Sequence, residues 1–419
     1  MIHDKNPRTI DIVNRSLKKR YRRERRFKIA GLLAVCLSLF FLALLFFNML
    51  SGGWQAFRQT SVTLDVYLDR AVLNAGTRAD ANYALLLKNA LYAGFPEVAS
   101  RADKRDLFAL LSTDAPYQIR AYVLKHPQAA GATVSFKLLA ASPVDMYCKS
   151  DGAYAGSLNI KQQSWINTLR ANGQLKTGFS LNFLTNDDSR EAEQAGILGA
   201  LTGSLFTILV TLCIAFPVGV AAAIYLEELA PKNRFTDIIE VNINNLAAVP
   251  SIIFGLLGLA VFLNVFGLPR SAPLVGGLVL SLMTMPTIII ASRSALKAVP
   301  PSIREAALGI GASRMQTIFH HVAPLALPGM LTGSIIGMAR ALGETAPLLM
   351  IGMVAFIADV PQGVTDPATA LPVQIYLWAD SPERGFVEKT AAATLVLVLF
   401  MLLINAAAIL LRKKFERKW

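Results

Sequence analysis

The chain has little of what a catalyst or a disulfide-stapled domain needs. Its three cysteines, Cys36, Cys148 and Cys213, stand far apart. Two of them fall in apolar runs, so neither a disulfide framework nor a metal-ligand spacing forms. Histidine is scarce, with four in 419 residues, and His126 stands alone in the stretch from 51 to 195. No glycine-rich phosphate loop closing on Lys-Ser/Thr is present, so the chain is not expected to hydrolyse a nucleotide itself. No metal, cofactor or catalytic constellation is implied. Acidic residues are the minority charge, 28 against 41 basic, for a net charge of +13. Such an excess can signal nucleic acid. Here the basic residues cluster beside apolar runs, which points to a membrane surface and leaves nucleic acid out of the expected partners.

What is abundant is apolar: 54% of residues are hydrophobic and mean hydropathy is positive. Residues 1–28 are basic, with SLKKRYRRERRFK just ahead of the first apolar run. Clustered Lys/Arg beside a span stays cytoplasmic and attracts anionic headgroups of membrane lipid. Residues 29–50 carry no charge and read as a first membrane helix. The run lacks an Ala-x-Ala exit, and Val35 spoils a faint lipoprotein box at Leu33–Cys36, so it reads as an anchor.

Residues 51–195 are polar and mixed in charge, long enough to bury a core. Alternation predicts strands over Ser61–Leu68 and Ala132–Leu139. Helical spacing predicts Asp80–Tyr92, Lys104–Leu111 and Lys161–Asn172, the last ending at Gly173. An α+β or mostly helical domain follows, periplasmic by alternation from the basic N-terminus. Asp103 and Asp106, set among Arg101, Lys104 and Arg105, read as a solvated face.

Residues 196–411 read as five further spans, making an all-α polytopic membrane protein with six transmembrane helices. They are Gly196–Tyr225, Leu246–Phe266 after an amphipathic lead-in Asp237–Asn245, Pro273–Ala291, Leu327–Ile351 and Thr390–Leu411. Hydroxyls at Ser281, Thr284 and Thr287 are expected to serve the backbone freed by Pro286, with lining of a pathway as the alternative. Residues 358–388 read as an external loop with an amphipathic PVQIYLW inside it, and residues 412–419 as a basic cytoplasmic tail.

The stretch Ser302–Leu349 organises the rest. Ser302 with Glu305 has a capping-box spacing, so a short helix is expected after Pro301, ended by Gly311. A second helix is expected from Ser313 to about Val322. Two short helices hinged at a glycine suit a soluble partner as well as an ordinary connector. In the span that follows, Arg340 falls near the midpoint and shares a helix face with Glu344. Gly333 and Gly337 lie on nearly the same face, where glycines let another helix approach. The Arg340–Glu344 pair either neutralises itself or faces a pathway that attracts an anion.

EAALGIGAS, with Pro324 further on, resembles the EAA loop of ABC-importer permeases; His321 and Ala323 depart modestly from it. LPGMLTGSIIGMARALGETAPLL resembles the phosphate permease of the PstA type, as does Ala248–Gly255. The resemblance runs from about Phe179 to the C-terminus. It implies the type I ABC importer (MetI-like) permease fold, with residues 302–324 forming a coupling loop. It also implies roles: Glu305, Ala306, Ala307 and Gly311 against an ATPase, and Arg340, Glu344 and Thr345 on the substrate route. The partners it implies are a cytoplasmic ABC ATPase, a sister permease and a periplasmic phosphate-binding protein, at the inner membrane. The long segment 51–195 departs from that family, whose loop there is much shorter. An importer of another oxyanion or solute, or a membrane phosphate-sensing component, are the alternatives.

Overall fold

The computed structural model describes residues 9–73, 80–357 and 359–415. The outermost parts of the two basic termini lie outside them. The chain divides into two compact units, Met1–Gly52 and Gly53–Trp419. The first is essentially one helix, α1 (Thr9–Gly53), which runs through both the basic segment and the apolar one without a break. At 1.5 Å per residue its 45 residues span about 67 Å. That exceeds the ~30 Å of bilayer hydrocarbon, so the basic half extends past the apolar half.

The second unit begins with an α+β insert. Strand β1 (Arg58–Tyr67) is central in an antiparallel sheet of order β2-β1-β3. Helices α2 (Tyr83–Gly94), α3 (Arg101–Phe108) and α4 (Ala115–Lys125) precede β2 (Thr133–Leu139). Then come α5 (Ser142–Lys149), α6 (Ile160–Ala171) and β3 (Leu175–Phe179). Strand β1 sends Val62, Leu64 and Val66 inward, pairing Val62 with Leu138 and Leu64 with Phe136. Leu86, Leu87, Leu91, Leu107, Ile119 and Ile166 close the core over that face. Helix α6 starts with a capping box from Asn159 and Gln162. Gly173, at φ +70°, supplies the left-handed turn that releases the chain into β3. Strand β3 and helices α4 and α5 carry no clear periodicity in the sequence.

The helical core follows. Among the described residues five helices are long and apolar enough to cross a membrane, or six if one bent pair counts as a single span. Helix α7 (Leu198–Leu229) packs along α10 (Pro273–Lys297). A Cβ on Gly277 would stand 2.5 Å from Val210, so only glycine admits that contact. Thr211 Oγ1 donates across the seam to the Gly277 carbonyl at 3.3 Å.

The expected amphipathic lead-in and the expected span after it form a bent pair. Helix α8 (Arg234–Ala247) and helix α9 (Ser251–Val265) meet at 100°. The cause is Pro250, which disfavours the helical conformation at Val249 and lacks a donor of its own. The expected external loop 358–388 is also more ordered than its composition suggests. It holds α14 (Leu371–Ala379), with Leu371, Val373, Gln374 and Trp378 buried, and the last helix, α15 (Gly385–Phe415), starts ahead of the expected Thr390. In α10, Thr284 Oγ1 bonds the Leu280 and Ser281 carbonyls, not the Leu282 carbonyl that Pro286 leaves free.

Candidate functional site

Helix α11 (Pro301–Gly309) forms the first half of the elbow. Its N-cap is Pro300 and it has no side-chain cap, so the Ser302–Glu305 capping box does not form. The reason is Pro301, whose fixed φ is already helical and whose missing N–H needs no partner. The helix therefore starts early, and Ser302 lies inside it. The capping box forms instead at Ser313, whose hydroxyl accepts from Gln316 N while Gln316 Oε1 accepts from Ser313 N. Between the two helices Gly311 sits at φ +90°. Glu305 and Ala306 are exposed, whereas Ala307 is buried.

The second half of the elbow does not stop at Val322. It continues as α12 (Arg314–Leu342), through Pro324 and Pro328. The segment Thr317–Val322 is a π-turn, and its wider hydrogen-bond loop accommodates the proline ring that follows. One rod thus joins the exposed elbow to the Arg340 region. Gly329 and Gly333 press on α10: a Cβ on Gly333 would stand 2.2 Å from the Ala291 Cβ. At Gly337 the nearest atoms are 3.7 Å away, which is ordinary contact.

The expected continuous span Leu327–Ile351 is broken. Helix α12 ends at Leu342, and Glu344 and Thr345 lie in a gap before α13 (Ala346–Met350). Pro347 explains the gap, because its ring clashes with the Gly343 carbonyl that a continuing helix would aim at it. Arg340 is therefore in the last turn of a helix. The two charges still meet, with Arg340 Nε 3.7 Å from Glu344 Oε1. Their side chains are 49% and 20% exposed, so the guanidinium keeps open donors. Its place near a helix C-terminus also favours positive charge.

Two charge clusters escape sequence reasoning. At the elbow end, Arg304 Nη2 meets Glu228 Oε1 at 2.6 Å and donates to the Leu296 carbonyl at 2.9 Å. Arg314 donates to the Glu228 carbonyl, and Arg293 joins Glu227 at 3.3 Å and Glu240 at 2.8 Å. The elbow is thus pinned to the end of α7 from both of its halves. The second cluster joins the insert to the last helix. Lys149 Nζ, 7% exposed, lies 2.6 Å from Asp145 and 2.9 Å from Glu388. Asp145 also accepts from Thr60 N at 2.7 Å, and Lys389 donates to the Ala195 carbonyl. The one signal available was Asp145 and Lys149 four apart on a helix.

Nearby carboxyls titrate abnormally. Burial pushes Glu193 up from the usual glutamate value, against the hydrogen bond from Ser112. Burial also raises Asp188, opposed by hydrogen bonds from Gln374 and Trp378. Asp187 is raised by burial and by repulsion from Asp359. Cys148, buried in the insert, has its thiol pushed up to about 11.

Apolar helices of membrane length, an exposed elbow on a long rod and a charged pair at that rod's far end define a multi-pass transport permease. A family described as binding-protein-dependent transport system inner membrane component matches residues 215–419. The chain belongs to that family and is a transport subunit of the inner membrane. It is 31% identical over 244 residues to the probable ABC transporter permease protein YqgI of Bacillus subtilis, covering 55% of this chain and 82% of that one. It is 33% identical over 218 residues to the phosphate transport system permease protein PstA 1 of Mycobacterium tuberculosis, covering 52% and 70%. A chain from inward-facing MetNI methionine ABC transporter structures is similar at 18% identity and a TM-score of 0.42, covering 53% and 98%. A domain of unknown function, DUF3333, matches residues 14–155.

Proposed function

We propose that this chain is the permease subunit of an ATP-driven importer that carries inorganic phosphate into the cytoplasm. The observation that carries the reading is the Arg340–Glu344 pair, half open at the end of a rod whose other end is the exposed elbow. An ATPase docked on Glu305, Ala306 and the Gly311 hinge would move α12 along its length. Ala307 would support that contact from beneath. Gly329 and Gly333 let α12 slide and tilt on α10 at close range.

The orientation follows from charge. Lys19–Lys28, Arg293, Lys297, Arg304 and Arg412–Lys414 all flank the apolar helices, and Lys/Arg beside spans stay cytoplasmic. Both termini and the elbow then face the cytoplasm, and residues 51–195 face the periplasm. A sister permease and a periplasmic phosphate-binding protein complete the assembly. Names of relatives at 32–33% identity support phosphate as cargo.

Arginine offers a planar fork of donors that suits a tetrahedral oxyanion. Glu344 adds selection: a carboxylate accepts a hydrogen bond from the protonated oxygen of phosphate and repels fully ionised sulfate. Thr345, in the same gap, supplies a hydroxyl. Competition in uptake by membrane vesicles tests the cargo. Unlabelled phosphate should suppress labelled phosphate uptake while sulfate and molybdate at equal concentration leave it unchanged; equal suppression by sulfate refutes the selection by Glu344.

A further inference from the structure

We propose that the insert carries a binding site for a phosphate ester, in the groove between α2 and α3. The groove is a cavity of about 710 Å³ lined by Lys88, Tyr92, Arg101, Lys104, Arg105 and Phe108, with Ala102 at its edge. It has the size of a small-molecule site, and no acidic side chain lines it.

The local sequence does not announce this, because α3 reads RADKRDLF with acids and bases mixed. The fold sorts them. Asp103 turns toward α6 and meets Lys161 Nζ at 2.8 Å. Asp106 accepts from Asn159 Nδ2 at 3.0 Å, with Arg105 Nε 3.8 Å from its other oxygen. The helix thus spends its negative charge on one side and presents Arg101, Lys104 and Arg105 on the other. Arg101 and Arg105 stay exposed, as expected of a solvated face, but the charges on it are sorted.

The cations are also held. Lys88 of α2 lies over the Phe108 ring of α3, 5.1 Å from its centroid. Lys104 of α3 lies over the Tyr92 ring of α2, 5.2 Å from its centroid. This reciprocal pair of cation–π contacts fixes two ammonium groups that would otherwise sample many rotamers, so less entropy is lost when an anion binds. Lysines and arginines lining one groove suit a phosphate dianion. The aromatic edges and the volume beyond the cations suit an attached organic group, which a bare oxyanion lacks. The ligand class is a phosphate ester, either soluble or part of a lipid headgroup.

The site rests on the geometry of the insert and not on the transport reading, so the two fail separately. The test uses the full chain in nanodiscs of zwitterionic lipid, with adenosine monophosphate as probe and calorimetry at moderate salt. Saturable binding is expected, tighter than that of sulfate. Lys88→Gln/Lys104→Gln should weaken it by at least roughly tenfold, as expected for two lost charge-assisted contacts. Lys161→Gln removes the same charge on the far side of α3 and should change it by less than about twofold. Circular dichroism of each variant confirms folding. Vesicles containing phosphatidic acid provide the second arm: displacement of the probe assigns the ester to a lipid headgroup, and no displacement assigns it to a soluble one. No saturable binding, equal affinity for sulfate, or equal loss in Lys161→Gln overturns the site.

Discussion

Arg340 is the residue on which most depends. With its guanidinium half exposed and Glu344 beside it, Arg340→Gln should abolish uptake while the subunits still co-purify. Arg340→Lys should recover only part of it, since an ammonium lacks the planar fork. This residue was legible because its motif is contiguous, from Ala339 to Leu349. Glu193 was not, because nothing in the chain marks it as buried. Its pKa is raised by burial, so the folded state prefers the protonated acid. That contribution is complete below the ordinary glutamate value and is lost as pH rises through the raised one. Glu193→Gln should therefore raise the melting temperature at pH 8, and the gain should vanish near pH 4. A gain that persists in acid would contradict burial as the cause. Cys148 stays a thiol at neutral pH and should resist maleimide until the insert is unfolded.

Helices were easier to find than their ends. Hydropathy located α12 because its apolar composition is continuous, yet it missed the stop at Leu342, where a single proline at 347 outweighs the apolar residues around it. Pro250 marks the junction between the expected lead-in helix and the expected span, which meet at 100°. Conversely, Pro324 does not break α12, because a π-turn precedes it, and the helix also runs through Pro328. Proline flags a discontinuity, but which kind depends on the turns around it. The α12–α10 contact separates two glycines that look alike in sequence. Gly333→Ala should destabilise the protein by about 1–3 kcal/mol through overpacking, and Ala291→Gly should restore part of it. Gly337→Ala, with 3.7 Å of clearance, should be near neutral. Equal melting shifts for the two would contradict this packing. At the elbow, Arg304→Ala leaves Glu228 without its guanidinium, and ATP hydrolysis should then persist while uptake falls.

At the scale of the molecule, the insert and the helical core are joined by charge as well as by apolar contact. Lys149 and Glu388 are 239 residues apart, so no local pattern could pair them; the fold brings them together. Lys149→Met would leave Asp145 and Glu388 without their cation and should cost about 3–5 kcal/mol, visible as early melting of the last helix against the insert in hydrogen exchange. The architecture as a whole was legible through its apolar runs and its EAA and Arg-Ala-Leu-Gly-Glu-Thr motifs. The topology of the insert was only half legible, since β3 is short and α5 hides in a segment of mixed polarity. In the function proposed here, force from a cytoplasmic ATPase reaches an anion route at Arg340 through α12. The direct measurement is ATP-dependent uptake of labelled phosphate by proteoliposomes of the co-purified complex, wild type beside Arg340→Gln. Expected is uptake that requires ATP in the wild type and is lost in the variant with ATP hydrolysis retained; undiminished uptake by Arg340→Gln would contradict it.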